Sequence, residues 1–138
     1  MVKIILFVGL PGSGKTTLAQ SMMDNNSFLI DDPNGDTEIF NKAIESNKEK
    51  ILVCDPLLIK SSRITVERFF EKKFKGATTF EWIYFENNPE AAWNNHLKRN
   101  ETDPRDISHS FFMNLSKLYI IPNGVIPLKI YQGKSESK

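Results

Sequence analysis

The chain has 138 residues, 40% of them hydrophobic and 25% charged, so it holds one domain with one real core and is neither disordered nor fibrous. Eighteen basic against seventeen acidic side chains leave a formal net charge of +1. A near-neutral chain has no global pull toward nucleic acid or an anionic membrane, and nucleic-acid contact would need a local basic patch. The single cysteine, Cys54, excludes an intrachain disulfide and a cysteine-based metal site, and it fits a reducing, cytoplasmic setting.

Lys3–Val8 (KIILFV) is a continuous apolar run and predicts a strand buried on both faces. It is too short to span a bilayer, and no targeting segment is expected. Lys15–Met23 follows as a helix with Leu18, Ala19, Met22 and Met23 on one stripe. Phe28–Ile30 predicts a second strand that ends in Asp31 and Asp32. Asp36 is placed to cap a helix whose inner face is Ile39, Phe40, Ala43 and Ile44. Ile51–Cys54 predicts a third strand, stopped by Asp55-Pro56. A helix from about Ser62 to Phe74 turns Val66, Phe69, Phe70 and Phe74 inward.

Phe80–Phe85 predicts a fourth strand. Asn88-Pro89 then caps and opens a helix toward Arg99, with Ala92, Trp93 and Leu97 as packing residues. Asn100–Asp106 is a polar break. Ser108 caps a further helix that packs through Phe111, Phe112, Leu115, Leu118 and Tyr119. Pro122-Asn123-Gly124 is a turn, and Val125–Ile130 predicts a fifth strand, at an edge because Pro127 cannot donate to a ladder. Trp82 and Trp93 read as packing residues, and His96 and His109 lack the spacing of a metal pair. Alternating strands and helices predict an α/β fold with a parallel sheet.

The most specific pattern is Gly9-Leu10-Pro11-Gly12-Ser13-Gly14-Lys15-Thr16, a full G-x-x-x-x-G-K-[ST] match between a buried strand and an amphipathic helix. Its glycines let the backbone curl round phosphate, and the helix start adds a positive dipole end. Lys15 supplies a charge for the β- and γ-phosphates, and the Thr16 hydroxyl can ligate Mg²⁺. Gly9, Pro11, Gly12, Ser13, Gly14, Lys15, Thr16 and Thr17 form the expected nucleotide cradle. A GTPase is disfavoured: Asn41-Lys42-Ala43-Ile44 lacks the guanine-reading Asp, and the D-x-x-G match at Asp32–Gly35 follows the wrong strand. Asp55, at the end of the third strand, either reaches a metal-bound water or simply terminates the strand.

In the order KIILFVGLPGSGKTTLA, FLIDD, ILVCD, FENNPEAAWNNHLKRN and LYIIP, the chain resembles the P-loop kinases of the polynucleotide-kinase type, closest to the kinase half of the bacteriophage polynucleotide kinase-phosphatases. That resemblance implies a three-layer P-loop NTPase sandwich with a five-stranded, mostly parallel sheet in the order 2-3-1-4-5. It also implies a P-loop kinase domain over residues 1–131, with a polar tail at 132–138. Activity would be ATP- and Mg²⁺-dependent transfer of a phosphoryl group to a hydroxyl, foremost a polynucleotide hydroxyl. A nucleoside, nucleotide or other small-molecule acceptor is the alternative, and a nucleotide-binding regulatory module without turnover is the second alternative.

The resemblance further implies that Asp31, ahead of Asp32, activates the acceptor, and that Arg99 and Arg105 form a lid over the transferring phosphate. Lys15 completes the catalytic set, and Thr16 and Asp55 are the metal candidates. One departure stands out. The family's acceptor-gripping arginine has no counterpart in the acidic stretch after Asp32, which leaves Arg63 and Arg68 as possible substitutes.

Overall fold

The computed structural model describes residues 1–33, 36–99 and 108–130. Four strands form one parallel sheet in the order β2-β3-β1-β4: β1 is Val2–Val8, β2 Ser27–Asp31, β3 Lys50–Cys54 and β4 Thr78–Tyr84. The helices are α1 (Lys15–Ser21), α2 (Glu38–Glu45), α3 (Arg63–Phe74), α4 (Pro89–Arg99) and α5 (His109–Leu118), with a short 3-10 turn over Pro56–Lys60 after β3. β1 is central because its apolar run can be covered on both faces. Its Ile4, Leu6 and Val8 join one core with residues of α2, α3, α4 and α5, while Ile5 and Phe7 join a second core under α1.

The register decides what lies at the carboxyl edge. Phe7 pairs with Cys54, Cys54 with Asp31, and Val8 with Tyr84. The ends of β2 and β3 and the start of the glycine-rich loop therefore stand side by side. That edge is where open parallel sheets build their sites.

The capping signals hold for two helices. Ser108 accepts from the Phe111 amide at 3.1 Å, and Asn88 accepts from the Ala91 amide at 3.2 Å. Asp36 does not cap as expected. Its carboxylate accepts from the Glu38 amide at 3.0 Å, but Thr37 holds the cap position of α2.

The fifth strand is not formed. Val125–Ile130 makes a single parallel bridge, Leu128 to Phe85, on the free edge of β4. The Leu128 amide donates to Tyr84 O and its carbonyl accepts from the Glu86 amide, each at 2.8 Å. Pro127 has no amide hydrogen, so the ladder cannot extend through it.

Phe69, Leu97, Phe111 and Leu118 are also less buried than their helical stripes predict, at 40%, 47%, 38% and 46% exposure. Phe69 still meets Phe40 and Phe70 edge-on, with ring centroids 5.2 Å from each. Met23 lies beyond the end of α1 and is 38% exposed.

Candidate active site at the carboxyl edge of the sheet

The loop Gly9–Gly14 is closed by the Ser13 amide donating to Leu10 O at 3.0 Å. Gly12 and Gly14 adopt φ of 88° and 103°, a region that L side chains resist. At Gly12 a second constraint applies. A Cβ there would lie 2.1 Å from the Ala92 carbonyl of α4 and 3.0 Å from the His96 amide. The loop is thus seated on α4, and Asn95 secures it by donating from Nδ2 to Gly12 O at 3.1 Å. Asn95 was not singled out in the sequence; an Asn inside a helix, where it is a poor helix former, is the signal that could have found it.

Lys15, the residue expected to supply a charge to the phosphates, is only 7% exposed, and its ammonium stays at the loop, donating to Gly9 O at 2.8 Å and Leu10 O at 3.0 Å. Ser13 is 1% exposed, and among the described residues its Oγ is the buried side-chain atom with no hydrogen-bond partner. A buried polar atom without a partner normally needs one. A curled loop with two left-handed glycines, a buried ammonium and an orphan hydroxyl fits a polyphosphate.

Three carboxylates frame the loop. Thr16 on α1 donates from Oγ1 to Asp31 Oδ1 at 3.1 Å. Asp32 has a left-handed backbone, φ 48°, held by its amide donating to Cys54 O at 2.6 Å. Asp55 accepts from the Leu57 amide at 3.0 Å and so caps the 3-10 turn, which fulfils the strand-terminating reading of that residue. Its carboxyl is raised above the usual range, first because burial disfavours the charge and also because Asp32 is nearby, while the Leu57 amide and Lys15 pull it down. Beneath them Cys54 is pushed up to about 12 by burial and by Asp31, so its thiol is not a nucleophile here.

Among the described residues no three His, Cys, Asp or Glu side chains form a metal cage. The donor set instead suits Mg²⁺, which takes one or two carboxylates and completes its shell with water and phosphate oxygen.

Tyr119, just past α5, reaches under the loop. Its buried hydroxyl shares its proton between the carbonyls of Phe85 and Val8, at 3.1 Å from the latter, and burial holds the phenol above its usual range. His96 is fully buried, and Trp93 packs against His96, His109 and Phe112 with ring centroids at 5.2, 4.7 and 4.9 Å. Both tryptophans are packing residues, as expected. Thr17 is exposed on α1. Arg99 ends α4, but its side chain, the Asn100–Asp106 segment with Arg105, and the 132–138 tail lie outside the described residues.

No family model matches the chain. An uncharacterized protein of Acanthamoeba polyphaga mimivirus (R277) is 33% identical over 105 residues, which cover 72% of this chain and 74% of that one. A solved gluconokinase from Sinorhizobium meliloti 1021 superposes with a TM-score of 0.54 over 98% of this chain and 86% of its own, at 11% identity. That likeness shows the fold of a P-loop kinase. Among the described residues no helix is long and apolar enough to cross a membrane.

Proposed function

This chain belongs to the family of that mimivirus protein, and from its phosphate loop set in a kinase fold we propose that it is an ATP-dependent phosphotransferase acting on a hydroxyl group. The observation that carries the reading is the Thr16–Asp31 contact at 3.1 Å, beside a buried Lys15. A turn that merely resembles a phosphate loop has no reason to place a carboxylate against the hydroxyl of its threonine. The cradle Gly9–Thr17 holds the nucleotide, with Lys15 at the β- and γ-phosphates.

Thr16 and Asp31 would hold Mg²⁺, with Asp55 reaching it through water. The metal supplies charge neutralisation of the phosphate oxygens. This moves Asp31 to the phosphate side of the site. Asp32, whose charge is felt by Asp55, then takes the acceptor side and orients or deprotonates the hydroxyl. In the transfer, the acceptor oxygen forms a bond to the γ-phosphorus as the bond to the β–γ bridging oxygen breaks. The hydroxyl proton passes to the carboxylate. Arg99 and Arg105 are proposed to neutralise the transferring group.

A small alcohol is the favoured acceptor. One structural neighbour is a gluconokinase, which supports a small-molecule acceptor ahead of a polynucleotide. Incubation with labelled ATP and Mg²⁺ against small alcohols, nucleosides and oligonucleotides tests the reading. Label on a small alcohol is the expected result. Label on oligonucleotides alone would restore the polynucleotide reading, and tight ATP binding with no acceptor labelled would favour a regulatory module.

A further inference from the structure

Among the described residues of the site above, Asp32 is assigned to the acceptor's hydroxyl, but no cation is assigned to the rest of that molecule. The stretch after Asp32 is acidic, and its first basic residue is Lys42. The structure holds a basic group elsewhere on the same edge. Arg63 opens α3 directly after the 3-10 turn that follows Asp55, and it is exposed. Its Nε donates to the Tyr84 hydroxyl at 2.8 Å. Its guanidinium lies 5.1 Å from the Tyr84 ring centroid and 5.5 Å from that of Trp82. Those two rings stack on each other at 6.2 Å and 17°.

The placement is that of the site. Tyr84 ends β4 opposite Val8, the residue before the loop. Tyr84 and Val53 lie in the core on the α2–α3 face, whereas Cys54 lies in the core on the other. Asp55 continues β3 in extended conformation, with φ −147° and ψ 119°, so alternation returns it to the α2–α3 face. Arg63 thus shares both edge and face with Asp55.

The charge is also left available. Glu67 stands four residues along α3, where it would ordinarily pair with Arg63. It is engaged elsewhere, accepting from the Trp82 indole at 2.8 Å. Among the described residues, no ion pair and no other hydrogen bond engages the terminal nitrogens of Arg63. A planar fork held by two rings and one hydroxyl, with its terminal donors open, is preorganised for an oxyanion. An anionic acceptor also needs such a cation, because Asp31, Asp32 and Asp55 would otherwise repel it.

We propose that Arg63 anchors the acceptor by binding an oxyanion, a carboxylate or a phosphate, carried on the same molecule as the reactive hydroxyl. This rests on the kinase reading for the hydroxyl, but the anion site itself can be read without turnover.

The experiment uses two matched pairs of probes, glycerate with glycerol and a nucleoside 3′-monophosphate with its nucleoside. The Arg63 Nε–Hε resonance is followed in ¹⁵N spectra of the full chain while each probe is titrated. An anionic member of at least one pair is expected to shift that resonance saturably, and its neutral partner is not. Which pair responds separates the carboxylate from the phosphate source. Where transfer is measured, Arg63→Ala should lower the anion-over-neutral preference in kcat/KM by about 10- to 100-fold, the size expected for a charged hydrogen bond, with Arg63→Lys in between. No shift with either anion, or an equal shift with the neutral partners, overturns the proposal. Saturable shifts without transfer to any acceptor would leave the anion site standing and remove the kinase reading.

Discussion

The Thr16 hydroxyl on α1 donates to the Asp31 carboxylate at the end of β2 across 3.1 Å. On the proposed reading this contact assigns Asp31 to the phosphate side of the edge and Asp32 to the acceptor side. Asp31→Asn is expected to weaken binding of ATP with Mg²⁺ and to leave metal-free ATP binding nearly unchanged. Asp32→Asn should keep ATP affinity and lower turnover by about 10²–10⁴-fold, the usual range for a lost general base. Titration calorimetry with and without EDTA, alongside turnover, separates them. The opposite pattern would return Asp31 to the acceptor.

Lys15→Met should abolish turnover while the chain still folds. Two loop carbonyls, of Gly9 and Leu10, lose a donor. Stability should fall by about 1–3 kcal/mol, the range for unsatisfied buried acceptors. Turnover should fall by at least about 10²-fold, since a preorganised charge is lost. Urea melts and steady-state rates measure the two effects, and near-normal rates would contradict the proposed role of Lys15.

Gly12→Ala tests the seat of the loop. The added Cβ meets the Ala92 carbonyl at 2.1 Å, in a backbone with φ 88°. Strain of this kind costs about 1–3 kcal/mol before the contact is relieved. A lower Tm and weaker ATP binding are expected together, because α4 must shift. Gly124→Ala is the control: its φ is 84° but nothing lies within 4 Å. It should lower Tm by less and leave ATP binding alone. Equal effects on ATP binding would show that the α4 contact does not position the loop.

Asp55→Asn should stabilise the fold at neutral pH. Burial raises the Asp55 carboxyl above its ordinary value of 3.8, so the folded state binds the proton more tightly than the unfolded chain. Stability from this group is therefore full below about pH 3.8 and declines as pH rises toward the raised folded value. Asparagine keeps the acceptor for the Leu57 amide without the charge. Its Tm advantage over aspartate should be present at pH 7 and vanish below about pH 4, and should narrow when ATP and Mg²⁺ are added. An advantage independent of pH would assign the effect to packing.

Several elements were legible in the residues because their causes are local. The apolar run of β1, the glycine spacing of the loop, and the Asn88 and Ser108 caps each depend on neighbours within a few positions. The contacts that join the site were not legible. Asn95 meets Gly12 across 83 positions and Tyr119 meets Val8 across 111, and no periodicity carries such pairings. Arg63 was visible as a basic residue, but its hold on Tyr84 was not.

By itself the sequence determined that strand, phosphate loop and helix follow one another, because glycine freedom, β-branching and helical periodicity act along the chain. It also determined the acidic end of β2. The tertiary structure decided which carboxylate stands against Thr16, since the register of β2 on β3 and the docking of α1 bring Asp31 there. It decided as well that Val125–Ile130 makes one bridge and not a fifth strand. An edge segment with a proline has one neighbour to pair with and too few amide hydrogens to hold it.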